Sequence, residues 1–349
     1  MTSRERVLAT LAGQRPDRVP VALGFRPSGV ERFAPQDYSG PRPDVLSVSF
    51  KTSEEEVDFQ KQVRRVPYDT RLGTPDLLAT YRDWQYWQPG RDRNPLAAAR
   101  SAEEILEFPF PDMNHPSRHG HIPDQVERLR SEGVAVAGGL PHLGGELFET
   151  AWRLRGLETW IIDLLERPDI AEALLDRIVG MCVANVKILA RAGVDILVLD
   201  DDVGMPTTLI IGPDLWARYL RPRLAGIIAA AREVQPDLFV LYHSDGWIEP
   251  IIDGLIEIGV DALNPVQPDV MDPARIADRF GDRLTIWGGI GTQGTFAQRD
   301  MATVARQTRE RIDTIGPERL VLCPAYDLVD NEFLWANVEC LLRTAEAHG

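Results

Sequence analysis

The 349-residue sequence predicts an α/β fold in which parallel strands close into a (β/α)8 barrel. Two observations lead to this fold class: short, continuous apolar runs alternate with amphipathic helical stretches, and eight such apolar runs occur along the chain. Strands that are apolar along their whole length are typical of a parallel sheet covered by helices. Eight repeats of strand and helix are typical of the barrel.

The elements follow from the local spacing of apolar residues. Ser3 is expected to be the N-cap of the first helix, and the helical pattern from 157 to 192 is expected to break near Arg167 and Pro168. The strands are predicted at 19–25, 45–50, 134–140, 195–199, 238–242, 261–263, 284–287 and 320–323. The helices are predicted at 3–11, 124–132, 146–155, 157–192, 213–234, 248–258, 273–279, 301–315 and 331–347.

Residues 51–120 differ from the regular pattern and are interpreted as an inserted, irregular segment of a single domain that spans residues 1–349. The segment has mixed charge and many prolines, and the alternation at Trp84, Tyr86 and Trp87 favours a small antiparallel hairpin. Trp84 and Trp87 are expected either to pack within this hairpin or to line a lid.

Charge and composition exclude several function classes. The formal net charge is -15, which disfavours binding to a phosphate backbone. No apolar run approaches the 18 or so residues of a membrane span, and the N-terminus does not have the pattern of a signal peptide. The three cysteines show no paired spacing, which is typical of reduced thiols. We therefore expect a cytoplasmic protein with a small-molecule substrate, bound to neither nucleic acid nor membrane.

The barrel interpretation directs attention to the residues that follow each strand, because active sites lie at the carboxyl ends of barrel strands. Asp200, Asp201 and Asp202 follow one strand directly. Carboxylates held close together raise one another's pKa, which suits a proton donor or a cation site. Asp200 or Asp201 is the expected proton donor. The alternative is that one of the three carboxylates caps the next segment and another faces solvent.

His243 and Asp245 follow the next strand and are two residues apart. In an extended segment their side chains would point the same way, as a pair of metal ligands or as a general base oriented by a carboxylate. The alternative is a hydrogen-bonded core histidine, with Asp245 as the N-cap of the following helix.

Other residues after the strands are expected to bind substrate. Arg26 could hold a carboxylate in a bidentate pair, and His142 is a further candidate. The glycine-rich turn containing Gly289 and Gly291, followed by Gln293, could bring backbone amides to an anion. The same turn could instead need its glycines only for backbone torsions with positive φ.

These motifs, in this order, resemble the uroporphyrinogen decarboxylase (URO-D) superfamily, and the resemblance runs nearly from end to end. The matching segments are RERVLATLAGQRPDRVPV, GGELFETAWRLRGLETWIIDLLERPDI, GVDILVLDDDVG, IIGPDLWARYLRPRLAGII, YHSDGWIEPIIDGLIEIGVDALNPVQPDVMDP, GDRLTIWGGIGTQGTF and VLCPAYDLV. The superfamily includes tetrapyrrole decarboxylases and methyltransferases that act with corrinoid proteins. The resemblance implies a (β/α)8 barrel, commonly assembled as a homodimer.

The resemblance also identifies where this chain departs from each branch. The decarboxylases carry an arginine-rich segment after the first strand, of which this chain keeps Arg26. The methyltransferases typically bind zinc through an HxC motif after the fifth strand and a cysteine after the last. Here His243 is kept, Asp245 stands in place of the first cysteine, and Tyr326 occupies the distal position. A His/Asp/Tyr ligand set is harder than His/Cys/Cys and suits zinc-thiolate chemistry less well.

Together, the residues and the resemblance lead to a hypothesis with two alternatives. The chain is expected to be a methyltransferase-like enzyme that acts on a small methylated substrate with a corrinoid- or folate-linked partner. His243 and Asp245 would be acid/base residues or ligands of a zinc with a non-standard ligand set, and Tyr326 would close the pocket. The alternatives are decarboxylation of a tetrapyrrole or a smaller carboxylate, and a barrel that only binds a ligand.

Overall fold

A curled parallel sheet forms the centre of the fold. The computed structural model describes residues 1–51, 94–110, 112–292, 296, 300–325, 328 and 334–349. Within these residues seven strands pair in chain order, each parallel to the next. They are β1 (Val45–Val48), β2 (Ala135–Gly139), β3 (Ile196–Asp200), β4 (Phe239–His243), β5 (Ala262–Val266), β6 (Thr285–Ile290) and β7 (Leu320–Pro324).

Helices connect the strands, as the predicted alternation requires. They are α1 (Ser3–Leu11), α2 (Ala102–Glu107), α3 (Ile122–Ser131), α4 (Phe148–Arg155), α5 (Leu157–Glu166), α6 (Pro168–Ala192), α7 (Pro213–Leu215), α8 (Arg221–Arg232), α9 (Ile252–Glu257), α10 (Pro273–Phe280), α11 (Met301–Ile315) and α12 (Leu334–His348). None of the helices in the described part of the chain has the length and apolarity needed to cross a membrane.

The predicted first strand, 19–25, is the main correction to the sequence-based assignment. This segment makes only a single bridge, from Val21 to Leu322 of β7. The extended run is short because Pro20 has no backbone N–H and Gly24 adopts a positive φ of 89°. The segment nevertheless joins both edges of the sheet: Ala22 N donates to the Leu322 carbonyl, and Asp44 N donates to the Val21 carbonyl.

Two helix assignments also need correction. The N-cap of α1 is Thr2 rather than Ser3, because the Thr2 side chain and Glu5 form a reciprocal capping box. The predicted helix 213–234 is interrupted by a π-helical turn, Trp216–Leu220, between α7 and α8. Pro222, in the first turn of α8, lacks the N–H that a continuous helix would need there.

The predicted hairpin around Trp84, Tyr86 and Trp87 lies outside the described residues, and so do Gln293 and Tyr326. Of the inserted segment 51–120, the described part contains α2 and the short 3-10 turn Pro116–Arg118.

Asp44, the residue before β1, holds the closing segment in place. Its carboxylate is fully buried and accepts hydrogen bonds from Arg6, Arg18 and the backbone N–H of Val21. Its carbonyl accepts from Ala135 N at the start of β2. Asp44 therefore ties the N-terminal helix, the segment around Val21 and the first two strands to one another.

Replacing Asp44 with alanine should destabilise the fold, because the buried Arg6, the half-buried Arg18 and the backbone N–H of Val21 would each lose an acceptor. We expect a loss of about 3–5 kcal/mol in the free energy of unfolding, measured by urea denaturation. Glu132→Ala is the control: its pair with Arg128 is exposed, and such a pair contributes roughly 0–1 kcal/mol. Equal losses in the two variants would contradict the role assigned to Asp44.

Candidate functional site

The site begins with the register of three neighbouring strands. Asp200 at the end of β3 is paired with His243 at the end of β4, and His243 is paired with Asn264 of β5. All three residues are buried. Parallel pairing therefore places a carboxyl, an imidazole and an amide side by side at the carboxyl end of the sheet.

The two-residue period of a strand explains why Asp200 points into the barrel. Ile196 and Val198 belong to the apolar cluster in the barrel interior, whereas Leu197 and Leu199 pack against the helix layer. Asp200 continues the alternation of Ile196 and Val198 and lies on the interior face. Leu241 and Ala262 also face the interior. His243 and Asn264 each follow two residues later and therefore lie on the same face.

Asp201 falls on the other face and is not part of the interior cluster. Its carboxylate accepts hydrogen bonds from the N–H groups of Phe148 and Glu149, at 2.8 and 3.0 Å, and so caps the N-terminus of α4. Burial raises the pKa of Asp201 to about 7, against the opposing effect of these two backbone hydrogen bonds. The structure thus separates the two candidate proton donors and brings only Asp200 to the interior.

Arg26 and His142, the two predicted substrate-binding side chains from other loops, meet at Asp200. The Oδ2 atom of Asp200 lies 3.7 Å from Arg26 Nη2 and 3.5 Å from His142 Nε2. Arg26 Nη2 contacts His142 Nε2. Because the guanidinium can only donate, His142 Nε2 must accept and its proton is on Nδ1. Burial and the neighbouring Arg26 lower the pKa of His142 well below its ordinary value, so the ring is neutral.

Glu146 is a residue of this site that the sequence-based selection missed. Its Oε2 accepts a hydrogen bond from Asp200 N, and its own N–H donates to the Asp200 carbonyl at 2.6 Å. Burial raises the pKa of Glu146 well above its ordinary value, and that of Asp200 likewise, with nearby Asp202 adding to the effect on Asp200. Burial therefore favours the neutral forms of both carboxyl groups beside the His142 ring.

His243 has one defined tautomer, which its neighbours impose. Asn264 Nδ2 donates to the Trp287 carbonyl at 3.0 Å, so Asn264 Oδ1 is the atom that faces His243 Nδ1, at 2.6 Å. An amide oxygen only accepts, so Nδ1 carries the proton. The opposite nitrogen, Nε2, is directed towards the carboxylates. The ring also stacks on Phe25 at 3.8 Å between centroids.

Asp202 completes a group that could hold a metal ion. One ligand atom each from Asp200, Asp202 and His243 lies within 4.8 Å of the others. His243 Nε2 is 4.0 Å from Asp200 Oδ1 and 3.8 Å from Asp202 Oδ1. Asp245, the predicted partner of His243, is not in this group: its Oδ1 accepts from Gln267, and its N–H donates to Asp202 Oδ1.

A zinc-thiolate centre does not fit these residues. Asp245 stands where the resemblance places a cysteine, and the nearest cysteine to the end of β7 is Cys323. The Cys323 sulfur is buried and takes part in hydrogen bonds with Gly24 N and the Pro324 carbonyl. Two carboxylates and an imidazole instead suit a divalent cation that prefers oxygen and nitrogen ligands.

The glycine-rich turn after β6 is partly explained by backbone geometry. Gly288 and Gly289 have φ values of 144° and 88°, which side-chain-bearing residues rarely adopt, and they belong to β6 itself. The Gly289 carbonyl accepts from Arg311 of α11 at 2.9 Å. Gly291 is buried, and its predicted contact with an anion stays a prediction.

The residues missed from sequence, Glu146 and Asn264, share a reason. Each acts through a contact with a different strand or loop, which no local pattern records. A weak signal did exist for Asn264, because it lies two residues after Ala262 in the phase that faces the interior.

Comparison with known proteins agrees with the barrel-type α/β fold. The sequence profile described as uroporphyrinogen decarboxylase (URO-D) matches residues 92–348. A methyltransferase from Methanosarcina mazei has a similar structure, with a TM-score of 0.67 and 16% identity over 99% of each chain. A B12-independent methionine synthase from Shewanella sp. W3-18-1 has a TM-score of 0.42 and 14% identity over 65% of this chain and 66% of that one. No curated protein sequence matches the chain.

In Asn264→Ala the tautomer of His243 should no longer be fixed, because Nδ1–H would lose its acceptor. We expect the proton to move to Nε2 in a substantial fraction of molecules, read from the 15N shifts of the two ring nitrogens. We also expect a stability loss of about 1–3 kcal/mol for the unpaired donor. His348, an exposed histidine that pairs with Asp313 on the surface, is the internal control. An unchanged His243 spectrum in the variant would contradict this assignment.

Proposed function

The chain belongs to the uroporphyrinogen decarboxylase (URO-D) family, and on that premise we propose that it is a methyltransferase-like enzyme of the family. The substrate is a small methylated molecule, and a corrinoid- or folate-linked partner takes or supplies the methyl group. In this proposal residues 1–349 form one barrel domain, and two copies assemble as a homodimer.

The observation that supports this proposal most directly is the grouping of Asp200, Asp202 and His243 within 4.8 Å at the carboxyl end of the sheet. We propose that these three residues hold a divalent cation. A cation there would supply Lewis-acid polarisation of the substrate's heteroatom. The sequence had suggested a metal held by His243 and Asp245. The proposed cation would have the same role, but Asp202 takes the place of Asp245 as a ligand.

The other side chains of the site bind and orient the substrate. Arg26 is 28% exposed at its side chain and can pair with an anionic group, because its guanidinium is always protonated. His142 is buried, its lowered pKa favours the neutral ring, and it contacts Arg26 from the loop after β2. Asn264 keeps the lone pair of His243 Nε2 directed at the reacting position.

Decarboxylation is the second candidate, and the pairing of Arg26 with Asp200 favours it. An arginine 3.7 Å from a buried carboxyl with a raised pKa could hold a substrate carboxylate beside a proton donor. Arg26 is one guanidinium, and a tetrapyrrole carries several carboxylates. This candidate is therefore a decarboxylase of a small carboxylate.

Metal analysis of the purified protein tests the first proposal. We expect about one divalent ion per chain, measured by inductively coupled plasma mass spectrometry after incubation with Zn²⁺, Mn²⁺ or Co²⁺. His243→Ala and Asp202→Asn should each weaken binding by at least the roughly 10–100-fold that loss of an outer-sphere partner costs.

Asp245→Asn is the matched control for the ligand set. Asp245 lies close to Asp202, but its side chain accepts from Gln267, so this variant should retain the ion. Loss of the ion in Asp245→Asn with retention in Asp202→Asn would restore the pair His243 and Asp245 as the ligands. Wild-type protein that binds no ion and releases CO2 from a small carboxylate would favour decarboxylation instead.

A further inference from the structure

A small cavity lies directly behind the site, between the loop that follows β2 and the helices α4 and α6. Its walls are mainly apolar and include Phe110, Met113, Ile178, Met181 and Cys182. Burial raises the pKa of the Cys182 thiol well above its ordinary value, so the thiol is neutral and adds a further weakly polar surface. None of these five residues is used by the proposed function.

The cavity shares two residues with the site. His142 and Glu146 line the cavity, and both contact Asp200. Each has a buried polar atom, His142 Nδ1 and Glu146 Oε1, with no hydrogen-bond partner in the described part of the chain. Nδ1 carries the proton of His142, because Nε2 accepts from Arg26. His142 Nδ1 is therefore a buried donor that lacks an acceptor among the described residues.

The size of the cavity limits what can enter. It is partly open, and its volume is about 30 Å³. A water molecule needs about 10–15 Å³ on the same measure, so the cavity holds two or three heavy atoms. Water alone would leave most of the apolar wall without good contacts, whereas methyl or ethyl carbons suit it. Methionine side chains on the wall can adjust to small differences in shape.

We propose that this cavity, named here the alkyl pocket, binds a short alkyl group of one to three carbons that is attached to a hydrogen-bond acceptor such as an ether or carbonyl oxygen. The pocket would select substrates by the size of this group, and His142 Nδ1 would donate to the acceptor. This inference rests on the proposed function only in taking the bound molecule to be the substrate of the site at Asp200.

The methionines make the pocket directly observable in the intact protein. Met113 and Met181 line it, Met271 is buried elsewhere, and Met1, Met205 and Met301 are 58%, 48% and 43% exposed. Protein labelled with 13C at the methionine methyl groups is titrated with dimethyl ether, which has two methyl groups on one acceptor oxygen. We expect saturable shifts at Met113 and Met181 and none at the other four.

The affinity should be low and should depend on the acceptor. Binding by three heavy atoms is limited to a dissociation constant of about 1 mM, given the ceiling of binding free energy per atom. Propane under pressure has the same shape without the oxygen. It should bind about two- to tenfold more weakly, the contribution of one hydrogen bond. Equal binding of the two probes would overturn the donor role of His142.

Two variants at one position separate occupancy of the pocket from a general change of structure. Cys182→Leu fills the pocket and should weaken binding of dimethyl ether at least tenfold, whereas Cys182→Ala enlarges it and should retain binding. Unchanged binding in Cys182→Leu, or equal shifts at all six methionines, would overturn the proposal. The titration needs neither a cation nor a methyl carrier. Failure of the metal analysis with a successful titration would therefore refute the proposed function and leave the pocket in place.

Discussion

The structure of the site depends on the register between β3, β4 and β5. Because Asp200, His243 and Asn264 are register partners in a parallel ladder, three polar side chains project from one row into the barrel interior. A shift of one residue in any of these strands would turn its polar side chain towards the helix layer. The apolar residues that precede the three polar ones on the interior face hold this register. The packing of the core therefore also determines where the side chains of the site lie.

Electrostatics then influences the protonation states of the groups that the register brings together. Burial disfavours the charged form of each group. The pKa values of Asp200 and Glu146 are therefore raised, and that of His142 is lowered. Arg26 places a guanidinium beside them, and its side chain has partial access to solvent. Buried groups whose neutral forms are favoured, next to a partly exposed guanidinium, suit a small ligand that carries an anionic group.

The sequence predicted most of the fold and about half of the arrangement of the site, for separate reasons. The alternation of strands and helices is a local property and was read correctly for seven strands, whereas Pro20 and Gly24 reduce the first predicted strand to one bridge. Pairing His243 with Asp245 assumed an extended chain after β4. The chain instead turns at Gly246, with φ of 83°, and Gln267 from the next loop binds Asp245. Contacts between loops of this kind have no local pattern in the sequence.

The position of Asp201 has a consequence for how the barrel could transmit motion. Asp200 and Asp202 belong to the interior, and the residue between them caps α4, on the outside of the sheet. A run of three consecutive residues thus connects the interior side of the sheet to the helix layer, and packed interiors transmit small displacements. Movement of either interior carboxylate would act on the N-terminus of α4, which makes the wall of this barrel a mechanical link between its two faces.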